Sequence, residues 1–503
     1  MSQPPDFIRF TLRTLVRRYT SRGLFCSSAN NKYDFHVSHF ADILAKKPSP
    51  RHNNNSGEIM RNLRFLLAFC LLSLGSHAFA DTYIFVTNST PDTLSISVHH
   101  HGTATLTQGS EWAQEETSIG PYETKRILRY NRFWGVTRNR TFNFDTTLSS
   151  GTSSVVLRQT MVGTWTGSNI QHGASGPGFT SPWFTDRNVH TYSHDYATRP
   201  SSTAFKAEFT GGYDDFYYVI TNDTPVEPLS GADELKVLSY NIYALPLVAS
   251  KISDRLGELP NHLSGYDVIL FQEAFSSTRD SMLLALSAEY PYQTHVPKIP
   301  YSGINVFDSG VLIISRYPIV NVDDYIYPDC SGTDCFADKG VIYAEVVKDG
   351  KSYHLTSTHT ASFDTAAARA LRQVQFQQIR ALVDSQGIPA FDAVLMGGDF
   401  NVNKLIWPQD YADMLTNLNA TDPVTTGYTE STFDPRINVL AGAAGSGGDT
   451  VEFLDYVVYA NDHRLPVASR NDVRIKRAAT APLFQVWDLS DHFPVMGEFQ
   501  FAP

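Results

Sequence analysis

"DAVLMGGDFN", residues 392–401, decides how this chain is read. Four apolar residues run without interruption, two glycines follow, and Asp399 and Asn401 then bracket Phe400. A short continuous apolar run bounded by turn residues reads as a strand buried on both faces. Polar residues at the end of such a strand lie where open-sheet sites form. The fold therefore turns on what else reaches that edge.

Working outward, other segments have the same form. "LKVLSYN" closes on Asn241, "DVILFQE" on Glu273 and "SYHLTSTH" on His359. Asp455 lies in "LDYVV", and Asp491 and His492 precede the last strand in "SDHFPV". One such residue reads as a turn or a cap; the whole set at strand ends does not. The types agree as well. Glu273 and Asp491 are hard oxygen donors and Asn241 can position a coordinated water, a set suited to Mg²⁺. No cluster with the His and Cys spacing of a zinc site is present. His359 and His492 suit general acid–base work, because an imidazole titrates near neutrality. Asp455 is placed to orient His492, and Asp308 in "FDSGV" is a weaker orienter for His359.

Between His359 and Gly387 an amphipathic helix is expected, with Leu371, Val374, Ile379, Leu382 and Val383 as its apolar stripe. Near-continuous apolar strands alternating with such helices imply an α/β sandwich over 235–503, each sheet covered by helices on one face and by the other sheet on its second.

Residues 81–222 differ in character. Short β-branched and aromatic runs such as "TYIFVTN", "SSVVLRQT" and "DDFYYVIT" alternate with Gly, Ser, Thr and Asn, which reads as a β-sandwich. "TNDTPVEPLSGADE" follows, and its aperiodic stretch 223–234 reads as the linker. "VHHHG", residues 98–102, does not read as a metal site, because neighbouring histidines on a strand point to opposite faces. "GPGFTSPWF" reads as a packed loop. Lipid adhesion is the expected role of this β segment.

The N-terminal eighty residues carry a targeting pattern. "MRNLRFLLAFCLLSLGSHAFA", residues 60–80, has a basic start, a short apolar run and an A-x-A end, the pattern of an export signal. Residues 1–59 then read as an upstream leader, and a secreted bacterial protein is expected to begin near Asp81. After processing, Cys330 and Cys335 in "DCSGTDC" are the two cysteines left, and an isolated pair in an exported chain reads as a disulfide loop. With a net charge of −11, the 503-residue chain lacks the basic excess of a protein held on nucleic acid by phosphate neutralisation.

Taken in order, "YN", "FQE", "THT", "GGDFNVNK", "LDYVV" and "SDHFPV" resemble the endonuclease/exonuclease/phosphatase superfamily, the DNase I-like fold. More narrowly the chain is similar to bacterial neutral sphingomyelinases C. The resemblance implies a secreted phosphodiesterase that hydrolyses sphingomyelin in membranes to ceramide and phosphocholine, with Mg²⁺ as cofactor and Mn²⁺ or Co²⁺ as substitutes. It implies Glu273 as principal metal ligand with Asn241 and Asp491 beside it, and His492, oriented by Asp455, as general base. Asp399 and Asn401 would hold the attacking water and a phosphoryl oxygen. His359 would stabilise phosphorane-like charge or protonate the leaving alkoxide. Asp308 is the one good donor for a second, edge metal. A membrane-contacting tip is implied within residues 474–492, at Leu483, Phe484 and Trp487, with Lys476 and Arg477 near headgroups. A monomer and no nucleic-acid partner are expected. The competing readings are a secreted nuclease with the same chemistry and a membrane-binding or pore-forming protein whose β domain acts.

Overall fold

The structure, a computed structural model, describes residues 81–210, 212–222, 225–299, 306–444 and 450–503. The leader and export signal expected before residue 81 lie outside the described residues.

Residues 234–501 form two stacked sheets. Strands Glu234–Asn241, Val268–Gln272, Leu312–Ser315, Val495–Phe501 and Pro466–Val473 belong to one; Gly340–Lys348, Lys351–His359, Ala393–Asp399 and Asp455–Ala460 belong to the other. The continuous apolar runs follow from this stacking. Val237, Val268 and Leu270 point into the core shared with Leu355, Leu395 and Val457 of the second sheet. Their neighbours Leu238, Ile269 and Phe271 point the other way, onto Leu256, Met282 and Leu286 of helices Ile252–Glu258 and Thr278–Leu286. Helix Ala366–Ser385 covers the far face of the second sheet, capped by Thr365 Oγ1, which accepts from the Ala368 amide. Ile379, Leu382 and Val383 of the expected stripe are buried, whereas Leu371 is half-buried and Val374 exposed, because Ala368, Arg372, Gln375 and Phe376 take the buried positions in the first turns. The result is a four-layer DNase I-like α/β sandwich.

Gly398 fixes the centre of the second sheet. Its φ is +154°, and a Cβ there would lie 2.1 Å from the Thr358 carbonyl oxygen. Strands Lys351–His359 and Ala393–Asp399 thus approach closely in parallel, with His359 paired to Asp399 at the edge.

Residues 81–222 form a sandwich of two six-stranded sheets whose inner faces share one core, including Ile84, Val86, Phe142, Phe144 and Leu157. His172 sits inside it, 4.9 Å from the Phe216 ring, and its buried Nε2 meets no hydrogen-bond partner. Burial pushes this imidazole down to about 4. Unfolding restores an ordinary imidazole, so the unfolded chain binds the extra proton between about pH 6.5 and 4. Stability is therefore present above pH 6.5 and falls with acidification, with His172 contributing on the order of 2–3 kcal/mol of the loss. Urea midpoints at pH 7 and 4.5 should converge in His172→Phe; an acid sensitivity equal to the parent's would refute the assignment.

The segment expected to touch a membrane is instead a seam between the two sandwiches. Phe484 and Trp487 pack on Ala204 and Val219 of the β-sandwich and stack edge-on with a 4.6 Å centroid separation. Leu483 enters the core of the α/β sandwich. Gln485 Nε2 donates to Glu208 Oε2 at 2.5 Å, and Arg477 Nη1 donates to the Tyr122 carbonyl at 2.9 Å. With exposures of 0%, 8% and 3% for Leu483, Phe484 and Trp487, this surface is already covered by protein. The apolar face formed by Ala204 and Val219, on strands Arg199–Phe209 and Asp214–Asn222, holds these aromatics.

Candidate active site

Asn241, Glu273, Asp399, Asp455, Asp491 and His492 converge at the edge where the two sheets meet. Asn241 is fully buried, and its Nδ2 donates to Glu273 Oε1 at 3.2 Å and to Asp399 Oδ2 at 3.0 Å. One amide thus ties a strand end of the first sheet to a strand end of the second. Asp399 and Asp455 are opposite each other in an antiparallel pair. His492 Nδ1 donates to Asp455 Oδ2 at 2.8 Å, leaving Nε2 3.8 Å from Asp399 Oδ2. Ser490 Oγ donates to the Asn241 carbonyl at 2.6 Å and fastens the "SDH" turn to the first strand.

Two of these positions hold an unfavourable backbone. Glu273 has φ +53° and Asn401 has φ +50°. A non-glycine residue in that region costs about 1–2 kcal/mol and persists where its surroundings dictate it. At Glu273 the turn brings the carboxylate onto the Asn241 amide. Asn401 is held by its own amide on Asp399 Oδ1 at 3.0 Å and by its side chain on the Thr360 carbonyl at 3.3 Å.

The electrostatics follow from packing acids together out of water. Burial and then the Asp491 charge push Glu273 up to about 7. Asp491 is raised mainly by burial. Burial raises Asp455 to about 6, against the lowering effect of His492. Asp399 is held low: burial opposes its charge, and the adjoining imidazoles, the Asn241 amide and Lys339 together outweigh that. His492 is raised well above the ordinary imidazole range: burial opposes its charge, and Asp455 and Asp399 more than offset that.

His359 behaves differently. Burial and the neighbouring Lys339 charge push it down to about 3. Lys339 Nζ donates to His359 Nε2 at 3.1 Å, to the Thr360 carbonyl at 2.8 Å and to Ser362 Oγ at 2.7 Å. The imidazole is therefore neutral, with its remaining proton on Nδ1. The Cys330–Cys335 disulfide closes a loop that supplies Asp334, which pairs with Lys339 at 3.1 Å and accepts from the Ser362 amide at 2.7 Å. Asp308 does not orient His359. Its carboxylate is taken by Arg279 at 2.7 Å and by the Gly310 amide, an arrangement that also occupies the oxygens an edge metal would use.

Sequence reasoning missed Lys339 and Arg255. Lys339 stands at the start of "KGVIYAEV", directly after the cysteine loop, and that position was its only signal. Arg255 is fully buried and donates to the carbonyls of Ile242, Tyr243, Ser250 and Leu489, bracing the Asn241 and "SDH" turns against each other. Its position in a short helix gives no hint of this.

A cation fits the set. Glu273 Oε2 is buried with no hydrogen-bond partner, beside a second buried carboxyl whose charge opposes its own. Oxygen donors with room for water suit Mg²⁺. Asp399, Asp455 and His492 also present ligand atoms within 4.8 Å of one another, and the His492–Asp455 hydrogen bond marks them as an acid–base set.

A family model described as endonuclease/exonuclease/phosphatase family matches residues 238–492. A phospholipase C of Staphylococcus aureus is 32% identical over 301 residues, covering 54% of this chain and 90% of its own length. Sphingomyelinase C 2 of Leptospira interrogans is 32% identical over 303 residues, covering 55% of this chain and 48% of its own. Among solved structures, a double mutant of Staphylococcus aureus beta toxin with bound magnesium ions is 31% identical, with a TM-score of 0.49 over 54% of this chain and all of its own. The family match leaves residues 81–222 uncovered.

Proposed function

The chain belongs to the endonuclease/exonuclease/phosphatase family and is a metal-dependent phosphodiesterase, and from that premise we propose a secreted phospholipase C that hydrolyses sphingomyelin to ceramide and phosphocholine with Mg²⁺. One observation carries the reading: an imidazole fixed by a buried aspartate stands near a half-buried glutamate whose Oε2 is shielded from solvent without a partner.

Glu273, Asn241 and Asp491 would hold the cation. Bound there, a divalent ion supplies Lewis-acid polarisation of a phosphoryl oxygen and offsets the carboxylate charge that otherwise keeps His492 protonated. His492 takes a proton at Nε2 from the attacking water, and Asp455 fixes its tautomer and stabilises the imidazolium. Asp399 and the Asn401 amide orient that water and one phosphoryl oxygen. Lys339, rather than the neutral His359, carries the positive charge on the opposite side, and His359 Nε2 accepts from Lys339.

The rim favours lipid over nucleic acid. Leu247 and Val248 follow the Asn241 strand, Phe363 follows His359, and Leu405 and Ile406 follow Asn401; all are exposed. Apolar loops around a phosphodiesterase cleft suit a bilayer surface, whereas a polynucleotide would call for Lys and Arg there. The protein incubated with sphingomyelin vesicles should release phosphocholine with Mg²⁺ and none with EDTA. Nicking of plasmid DNA under the same conditions, without phosphocholine release, would overturn the proposal.

A further inference from the structure

The outer face of the β-sandwich carries a cluster remote in sequence from the catalytic strands. Strand Leu94–Gly102 pairs antiparallel with Thr141–Ser150, with His99 opposite Asp145 and His101 opposite Asn143. Alternation separates His100 from its neighbours, and for the same reason it reunites His99 with His101. His100 turns inward. Its ring stacks on Phe144 at 4.1 Å, its Nδ1 donates to the Asn143 carbonyl at 2.7 Å and its Nε2 accepts from the Leu106 amide at 2.7 Å. Both of its nitrogens are used, so it is a structural residue. His99 and His101 face outward with rings stacked 4.7 Å apart.

Asp145 completes a three-ligand set. His101 Nε2 lies 3.0 Å from Asp145 Oδ2, and one ligand atom from each of the three residues falls within 4.8 Å of the others. A tetrahedral zinc ion with bonds of about 2.0–2.1 Å spaces its ligands roughly 3.3 Å apart. One edge of that tetrahedron is already present, and side-chain rotation closes the others from within 4.8 Å to roughly 3.3 Å. The two histidines stand on strand Leu94–Gly102, which is paired with Thr141–Ser150 along this whole stretch.

We propose that His99, His101 and Asp145 form a surface site for a first-row transition-metal dication, Zn²⁺ foremost, with a fourth position open to water or to a ligand from outside. Two imidazoles and one carboxylate suit zinc and do not suit Mg²⁺, which takes oxygen donors. The chain thus holds two metal sites of different chemistry, one in each sandwich.

The test titrates Zn²⁺ into full-length protein saturated with Mg²⁺, by calorimetry. The parent and His492→Ala should each bind one equivalent at the β-sandwich. His99→Ala/His101→Ala should lose that equivalent while keeping the parent's Mg²⁺-dependent turnover and melting temperature. The milder His99→Gln and Asp145→Asn should each weaken binding at least tenfold, and they report on the site if the double variant misfolds. Co²⁺ in the parent should give the visible absorption of a four-coordinate centre. Absence of Zn²⁺ uptake by the parent, or an undiminished equivalent in the single and double variants, would overturn the proposal.

Discussion

His492→Ala should lose about 10²–10⁴-fold in kcat while still associating with sphingomyelin vesicles. The imidazole is the group whose Nδ1 is fixed by Asp455 and whose Nε2 faces the cleft. Deleting it removes the proton acceptor and leaves the apolar rim, so KM for vesicles should change little. Asp455→Asn supplies the control. It keeps the shape but cannot stabilise the imidazolium, so it should also lower kcat, with the pH profile moved as the base loses the neighbour that raises its basicity. Residual turnover within a few-fold of the parent in His492→Ala would remove the acid–base assignment. Lysis of membranes by that variant at parental levels would favour the pore-forming reading.

The strand ends of the α/β sandwich were legible because two physical demands coincide there. A strand buried on both faces must be apolar throughout, and a site at its end must be polar, so "DAVLMGGDFN" and "DVILFQE" show both in one line. Their convergence was less legible than their existence. Asn241 bridges Glu273, 32 positions away, to Asp399, 158 positions away, and no local pattern encodes such a bridge. Lys339 was hidden because its partners come from two separate stretches: the disulfide loop and residues 359–362. Arg255 was hidden because a charged residue in a short helix reads as solvated, and only tertiary carbonyls make its burial tolerable.

The failures also have reasons. "TAPLFQVW" reads as an exposed apolar tip when residues 235–503 are considered alone; the β-sandwich supplies the missing partner surface. The histidine run was dismissed on the opposition of immediate neighbours, although alternation also places residues two apart on one face. Asp308 reads as a free donor until Arg279, on a helix that follows Glu273, is seen to claim it.

Glu273→Gln should separate metal binding from folding. In the parent, this carboxyl is raised to about 7 by burial and by Asp491, so without a cation the pair is a source of electrostatic strain. Glutamine keeps the size and the bond to Asn241 while removing one charge. The variant should therefore melt at the parent's temperature or above it in EDTA, because relieving like-charge repulsion in a buried site stabilises the fold. In Mg²⁺ the order should reverse. A cation that binds the folded chain raises the melting temperature with concentration, and loss of its principal ligand should abolish that rise. Turnover should fall about 10³-fold or more at fixed Mg²⁺, since the ion carries several kcal/mol of transition-state stabilisation. Higher Mg²⁺ should restore part of it if Asn241 and Asp491 still offer a weakened site. A Glu273→Gln protein whose melting temperature still climbs with Mg²⁺ as the parent's does would place the cation elsewhere, and the cleft chemistry would have to be rebuilt around Asp399, Asp455 and His492.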